Sequence, residues 1–408
     1  MKKMVFLFPG VGSQYVGMGR SFYDGFKIFK ETIEEAGDIL KLEMSELFFS
    51  PARQAELDQL ENAQSALLAA SIAVCRVFKQ EIGLQPHYCM GHSLGEYSAL
   101  CAAGVIPFAD ALRLVRQRGL IVNEVSAALD GTMAWVVNLD CQVVDKLCRQ
   151  RSRKGEEVYV SAYDSPSQTS ISGHTGALMS TARELEKEGA IVYPLKLSGP
   201  FHCPLMQGAA EKMVAVLKEY KYEEPQYPVI ANRQARPYDG GASVVDNLAQ
   251  QLISPIRWQA SLNYLIQQGV EIAVEMGPKN VLKFLVRKNT SAIHTYITDK
   301  SQDLQSIQAE LVLKEGEYLR TIGKCLGAAV STRNRRGGGE AYEREVVAPY
   351  RKMETLFQEL RSGGSQPRPQ HVRDALRLLQ LVLTAKRVPQ QEQTYWFNHV
   401  CGGKLLKG

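Results

Sequence analysis

The densest piece of chemistry in the sequence is Gly91-His92-Ser93-Leu94-Gly95. A serine between two glycines, after the short strand-like Pro86–Gly91 and before the small-residue helix expected over 94–103, fits a sharp strand-to-helix turn. Such a turn lifts a hydroxyl clear of a sheet and onto a helix N-terminus, where the next backbone N–H can hold a developing oxyanion. The pentapeptide also occurs as a plain tight turn, and it is the flanking elements that favour a nucleophile.

An alkyl hydroxyl needs a general base near neutral pH. Of the seven histidines, five have no special setting, and His92 beside the serine is expected to pack or bond locally. His202 lies in Ser198-Gly199-Pro200-Phe201-His202-Cys203, a segment that can overhang a cleft; the bland alternative is a satisfied core histidine. Asp110, Asp130, Asp140, Asp145 and Asp164 could each be a third triad member by chain order, and none is marked out. A Ser–His dyad is therefore favoured. The helix opened by Pro107 sets Ala111, Leu114, Val115, Arg118 and Val122 on one stripe,. A guanidinium on an apolar face needs a carboxylate, from the protein or from a substrate.

Other chemistries find little support. The eight cysteines never form Cys-x-x-Cys, and the histidines lack metal-ligand spacing, so reduced thiols and no metal site are expected,. No apolar run reaches the ~18 residues that would span a membrane. Met1–Gly10 breaks at Pro9-Gly10, too early for a signal sequence, and reads as a first buried strand,. A cytoplasmic location is expected.

The elements that must position these residues alternate strand and helix in the first half, implying a mostly parallel, doubly covered sheet. Strands are expected at Val5–Phe8 and 86–91, and helices over 59–83, 94–103 and after Pro107. Between 130 and 197 the order becomes β-α-β-β-α-β, closing with a strand over 190–197: the split βαβ of a ferredoxin-like unit,. The chain then returns through strands at 228–232 and 271–276. Beyond Leu313 it turns helical, with a glycine-rich loop at 333–339 and helices over 349–362, 370–388 and 390–400, Pro349 marking the start of the first,.

Taken together, Phe8-Pro9-Gly10-x-Gly12-Ser13-Gln14, Gly91-His92-Ser93-Leu94-Gly95-Glu96-Tyr97, Arg116-Gln117-Arg118-Gly119, Phe201-His202, Gln251-Leu252 and Glu275-x-Gly277-Pro278 resemble the malonyl-CoA:acyl carrier protein transacylases over about residues 4–310. The resemblance implies an α/β-hydrolase-like large subdomain (1–129 and 198–312) with an inserted ferredoxin-like small subdomain (130–197), together an acyltransferase domain over 1–312. It implies Ser93 as nucleophile, His202 as base oriented by a backbone carbonyl near Gln251, and an oxyanion hole from the N–H groups of Val11 and Leu94. Arg118 would clamp the malonyl carboxylate, with Gln251, Phe201 and Gln64 lining the substrate. At Gln64 a helix-core reading is equally open. Val11 departs from the family's usual glutamine, and Asp164-Ser165-Pro166-Ser167-Gln168 stands where the family has Asn-x-Pro-x-Gln. No cofactor is implied; malonyl-CoA is the donor and an acyl carrier protein the partner, with neither nucleic acid nor membrane involved. A hydrolase using the same dyad is the competing reading.

The resemblance leaves the tail unexplained. Residues 321–408 hold 15 Lys and Arg against 7 Asp and Glu, which leaves 33 against 36 in residues 1–320. The extension over 313–408 is thus basic and helical. Val346, Tyr350, Met353, Phe357 and Leu360, with Leu376, Leu378, Leu379, Leu381, Val382 and Leu383, suit a small helical core. Its basic surface is a candidate for steering in an acidic carrier protein or meeting a synthase complex.

Overall fold

The computed structural model describes residues 2–195 and 199–406. Two compact units emerge: Lys3–Phe78 with Pro86–Asp303, and the run from Leu304 onward together with Lys79–Gln85. Among the described residues nine strands form: β1 (Lys3–Phe8), β2 (Tyr88–Gly91), β3 (Gly131–Val137), β4 (Val158–Ser165), β5 (Gln168–His174), β6 (Ile191–Pro194), β7 (Val229–Ile230), β8 (Val270–Glu275) and β9 (His294–Ile297).

The first unit is built on a five-stranded sheet of order β7-β2-β1-β8-β9, with every pairing parallel. Met4 to Phe8 of β1 are all fully buried, the near-continuous apolar run of a strand covered on both faces,. β7 keeps only two residues of the strand expected over 228–232. The Ala231 N–H turns back to the Arg236 carbonyl, which takes Asn232 out of the ladder and frees its side chain. β9 has four residues and no apolar alternation, so nothing in its sequence announced it.

The inserted sheet has order β4-β5-β3-β6, all antiparallel, the ferredoxin-like arrangement,. The helices Cys141–Arg151 and Thr175–Lys187 cover one face, packing Val144, Cys148, Leu178 and Leu185 onto Ala134 and Ile171. β6 ends at Pro194. Lys196 and Leu197, in the expected end of this strand, and Ser198 lie outside the described residues.

In the second unit the helices Tyr318–Ser331, Ala348–Arg361, Pro369–Ala385 and Gln390–Cys401 share a core that includes Ile322, Cys325, Met353, Val372, Leu379 and Val382. Leu381, expected in that core, is instead 50% exposed: it sits on the outer face of its helix. Pro349 sits in the first turn of Ala348–Arg361 as expected, but the helical path begins further upstream. Glu340–Tyr342, a π-helical Glu343–Val347 and Ala348–Arg361 follow one another without a break. A proline deprives the turn before it of a hydrogen bond and crowds its carbonyl, and the wider π turn accommodates both effects.

Candidate active site

The turn from β2 into the helix Leu94–Ala102 places Ser93 at φ 51°, ψ −109°, a strained backbone for a residue with a side chain,. The flanking glycines are compulsory. A Cβ on Gly91 would lie 1.9 Å from the Gly95 carbonyl carbon, and one on Gly95 would lie 2.0 Å from the Phe8 oxygen. Asn232 locks the turn, its Oδ1 accepting the Ser93 N–H at 2.8 Å while its Nδ2 donates to the Gly91 carbonyl at 2.6 Å.

Ser93 Oγ lies 2.8 Å from His202 Nε2, and His202 Nδ1 lies 2.8 Å from the Gln251 carbonyl oxygen. A carbonyl only accepts, so the proton sits on Nδ1 and Nε2 faces the hydroxyl as acceptor. Burial, then the nearby Arg118 charge, pushes the His202 pKa down from 6.5 to about 3, keeping the ring neutral. His202 itself adopts φ 59°, and Phe201 beside it is held through its carbonyl, which accepts from Ser172 Oγ at 2.7 Å. The base therefore hangs between the two subdomains.

Arg118, 4% exposed, reaches the same point from the helix Phe108–Ala127. Its Nη1 donates to Gln64 Oε1 at 2.8 Å, and its Nη2 to Gln251 Oε1 at 3.2 Å and to Ser93 Oγ at 3.3 Å. Its guanidinium also lies 5.5 Å from the centre of the Tyr97 ring. Among the described residues no carboxylate makes an ion pair with it, and its Nε has no partner. Gln64 is fully buried, with its Nε2 unpartnered.

Neither the Leu94 nor the Val11 N–H finds an acceptor among the described residues. Val11, 45% exposed, follows a glycine whose position is pressed against the elbow: a Cβ on Gly10 would meet the His92 oxygen at 2.6 Å. Ser93, His202, Arg118, Gln251 and Gln64 thus converge, while Phe201 joins through its main chain.

One expectation needs correction. The His92 ring does not bond locally but reaches Asp164 of β4, Nε2 to Oδ1 at 2.9 Å, with Trp258 5.6 Å away ring to ring. Asp164, one of the aspartates open as a triad acid, therefore serves His92 and not His202; its other oxygen accepts from Ser170 Oγ at 3.0 Å. Asn232, Tyr238 and a role for Glu96 went unseen in the sequence. A lone acid in the small-residue helix 94–102 and a polar residue just past a parallel strand's C-terminal end were the available signals.

A serine held against a neutral histidine at the end of a parallel strand is an arrangement suited to acyl-group transfer. Residues 5–307 match the acyl transferase domain family. A "Malonyl CoA-acyl carrier protein transacylase" of Bacillus subtilis is 34% identical over 96% of this chain and 99% of its own length, a match that extends into the C-terminal extension. A second one from Bacillus subtilis (strain 168) is 39% identical over 75% of this chain and 96% of its own. Among solved structures, FabD from Acinetobacter baumannii is 35% identical with a TM-score of 0.72, covering 76% of this chain and 98% of that one. A malonyl-transacylase solved with its type II polyketide synthase acyl-carrier protein is 33% identical with a TM-score of 0.73, over 76% of this chain and 99% of that one. The chain belongs to the malonyl-CoA:acyl carrier protein transacylase family.

Proposed function

We propose that Ser93 and His202 are the catalytic pair through which this chain transfers malonyl from malonyl-CoA to the phosphopantetheine thiol of an acyl carrier protein, in fatty acid or polyketide synthesis. The observation that carries the residue assignment is Arg118: a buried guanidinium that no protein carboxylate contacts, with Glu96 acting on it only through space, 3.3 Å from the reactive hydroxyl. A free carboxylate on the acyl chain satisfies it bidentately, where a planar fork suits better than an ammonium.

Ser93 Oγ attacks the thioester carbonyl as its proton passes to His202 Nε2. The N–H groups of Leu94 and Val11 receive the oxyanion, and the coenzyme A thiolate leaves with that proton. The phosphopantetheine thiol then gives its proton to His202, attacks the ester, and Ser93 recovers its hydrogen. A malonyl carboxylate on Arg118 offsets the positive field that depresses His202, so the bound substrate makes its own base stronger,. Gln251 and Gln64 orient Arg118, and Phe201 lines the acyl end.

The acyltransferase body is assigned to 1–312 and the basic extension, 313–408, to contact with a carrier protein or synthase complex. Among the described residues no helix is long and apolar enough to cross a membrane; the cytoplasm is the proposed location. Intact mass after exposure to malonyl-CoA alone tests the reading. A stable malonyl ester, lost in Ser93→Ala, is expected, whereas rapid release of free malonate at turnover rates would show a hydrolase.

A further inference from the structure

We propose that Glu96 is a positioning residue that fixes which end of the Gln251 side-chain amide faces Arg118, and so sets the preference for an acyl chain ending in a carboxylate. The inference deepens the malonyl-transfer reading and rests on it.

Glu96 is 1% exposed on the nucleophile's own helix, ringed by donors. Its Oε1 accepts the Asn232 backbone N–H at 3.2 Å and the Tyr238 hydroxyl at 2.5 Å; its Oε2 accepts Gln251 Nε2 at 2.5 Å. An ionised carboxylate can only accept, so Gln251 must present its NH2 to it. The same NH2 donates to the Ser93 carbonyl at 3.0 Å. The amide oxygen is left at the other end, where it accepts from Arg118 Nη2. Glu96 never touches the acyl group; it acts through Gln251.

The Asn232 donor is main chain and cannot reverse. An amide at position 96 must therefore keep its oxygen toward Asn232 and Tyr238 and turn its own NH2 on Gln251. Two NH2 groups cannot face each other in a buried site, so the Gln251 amide turns over and points a donor at Arg118. Protonation of Glu96 has the same effect when the proton sits on Oε2, the oxygen that faces the Gln251 amide,. The ionisable groups facing Glu96 are Arg118, Tyr97 and Tyr238, and burial pushes its carboxyl up to about 7.

The test compares Glu96→Gln with Glu96→Asp in the full-length protein, loading Ser93 from malonyl-CoA or acetyl-CoA and reading the ester by quenched intact mass, with circular dichroism checking the fold. Glutamine keeps the shape and loses the acceptor; aspartate loses the shape and keeps the acceptor. The malonyl-to-acetyl ratio of kcat/KM is expected to fall about tenfold or more in Glu96→Gln, mainly through the KM for malonyl-CoA, and to stay within about threefold in Glu96→Asp. In the unmutated protein the same ratio should fall from about pH 8.5 to about pH 6 as the carboxylate takes up its proton. A Glu96→Gln ratio equal to wild type, an equal loss in Glu96→Asp, or equal slowing with both donors overturns the proposal. Should Glu96→Gln not fold, the pH series decides, and a flat ratio overturns it. A wild-type protein that shows no preference for malonyl-CoA overturns the malonyl-transfer reading instead.

Discussion

Asn232→Ala tests whether the elbow is held from outside. Asn232 is 1% exposed, and its side chain satisfies both the Ser93 N–H and the Gly91 carbonyl. Alanine leaves both groups buried without a partner, each costing about 1–3 kcal/mol. The turn they brace holds Ser93 at φ 51°, a conformation that itself costs about 1–3 kcal/mol and is free to relax once released,. Part of the penalty is recovered by that relaxation, so a loss of about 3 kcal/mol is expected, with Ser93 Oγ displaced from His202. A displacement of about 1 Å can cost a hundredfold in rate. Urea unfolding followed through Trp135 and Trp258, in a Trp396→Phe background that leaves tryptophan only in the first unit, gives the stability. Quenched-flow acylation by malonyl-CoA gives the rate. A loss below about 1 kcal/mol with an unchanged acylation rate would refute the bracing argument.

Arg118→Ala should lower acylation by malonyl-CoA about a hundredfold while acetyl-CoA gains relative to it, since charge-assisted hydrogen bonds are each worth about 1.5–3 kcal/mol; a parallel loss for both donors counts against the clamp. Gly95→Ala places a Cβ 2.0 Å from the Phe8 oxygen and should cost at least about 3 kcal/mol, seen as insoluble expression or a lowered Tm; a wild-type Tm would contradict it,. His202 binds its proton at about 3 in the folded state and at ~6.5 when unfolded, so stability rises with pH across that window and is complete above it,. His202→Gln should remove up to about 1.4 kcal/mol per pH unit of that slope, measured by urea titration between about pH 4 and 6.5. Lys386, 6% exposed, donates to the Ala329 and Thr332 carbonyls at 2.6 and 2.9 Å, closing the helix Tyr318–Ser331. Lys386→Met should cost the second unit about 2–3 kcal/mol, read through Trp396 fluorescence in urea; no change would mean the cap is dispensable.

Much of this arrangement is legible in the sequence. A short apolar run such as Val5–Phe8, stopped by Pro9-Gly10, suits a strand buried on both faces, and the β-α-β-β-α-β order of 130–197 points to a ferredoxin-like sheet because each element carries its own periodicity,. The elbow was visible because its glycines are sterically compulsory. What stayed hidden was long-range and polar: Asp164 meeting His92 across 72 positions, or Asn232 bracing Ser93 across 139. No local pattern encodes a hydrogen bond between distant segments. β9 and the shortening of the strand expected over 228–232 went unseen for the same reason, since an edge strand exists by virtue of its neighbour. Pro349 does stand in the first turn of Ala348–Arg361, and what it concealed is the π turn and short helix that lead into it,.

The register of the small sheet carries a lesson for protein engineering. β3 leaves the larger sheet's domain and β6 comes back to it side by side, Ala134 opposite Pro194. The insert is thus a cassette with adjacent ends, exchangeable between relatives without rethreading the parallel strands. Among the polar connections that constrain the exchange, two reach the serine and histidine segments: the carboxylate at position 164 that reaches His92 and the hydroxyl at 172 that holds the Phe201 carbonyl. A transplanted cassette that carries both should leave the serine and histidine in register, and one that lacks them should fold yet misplace the base.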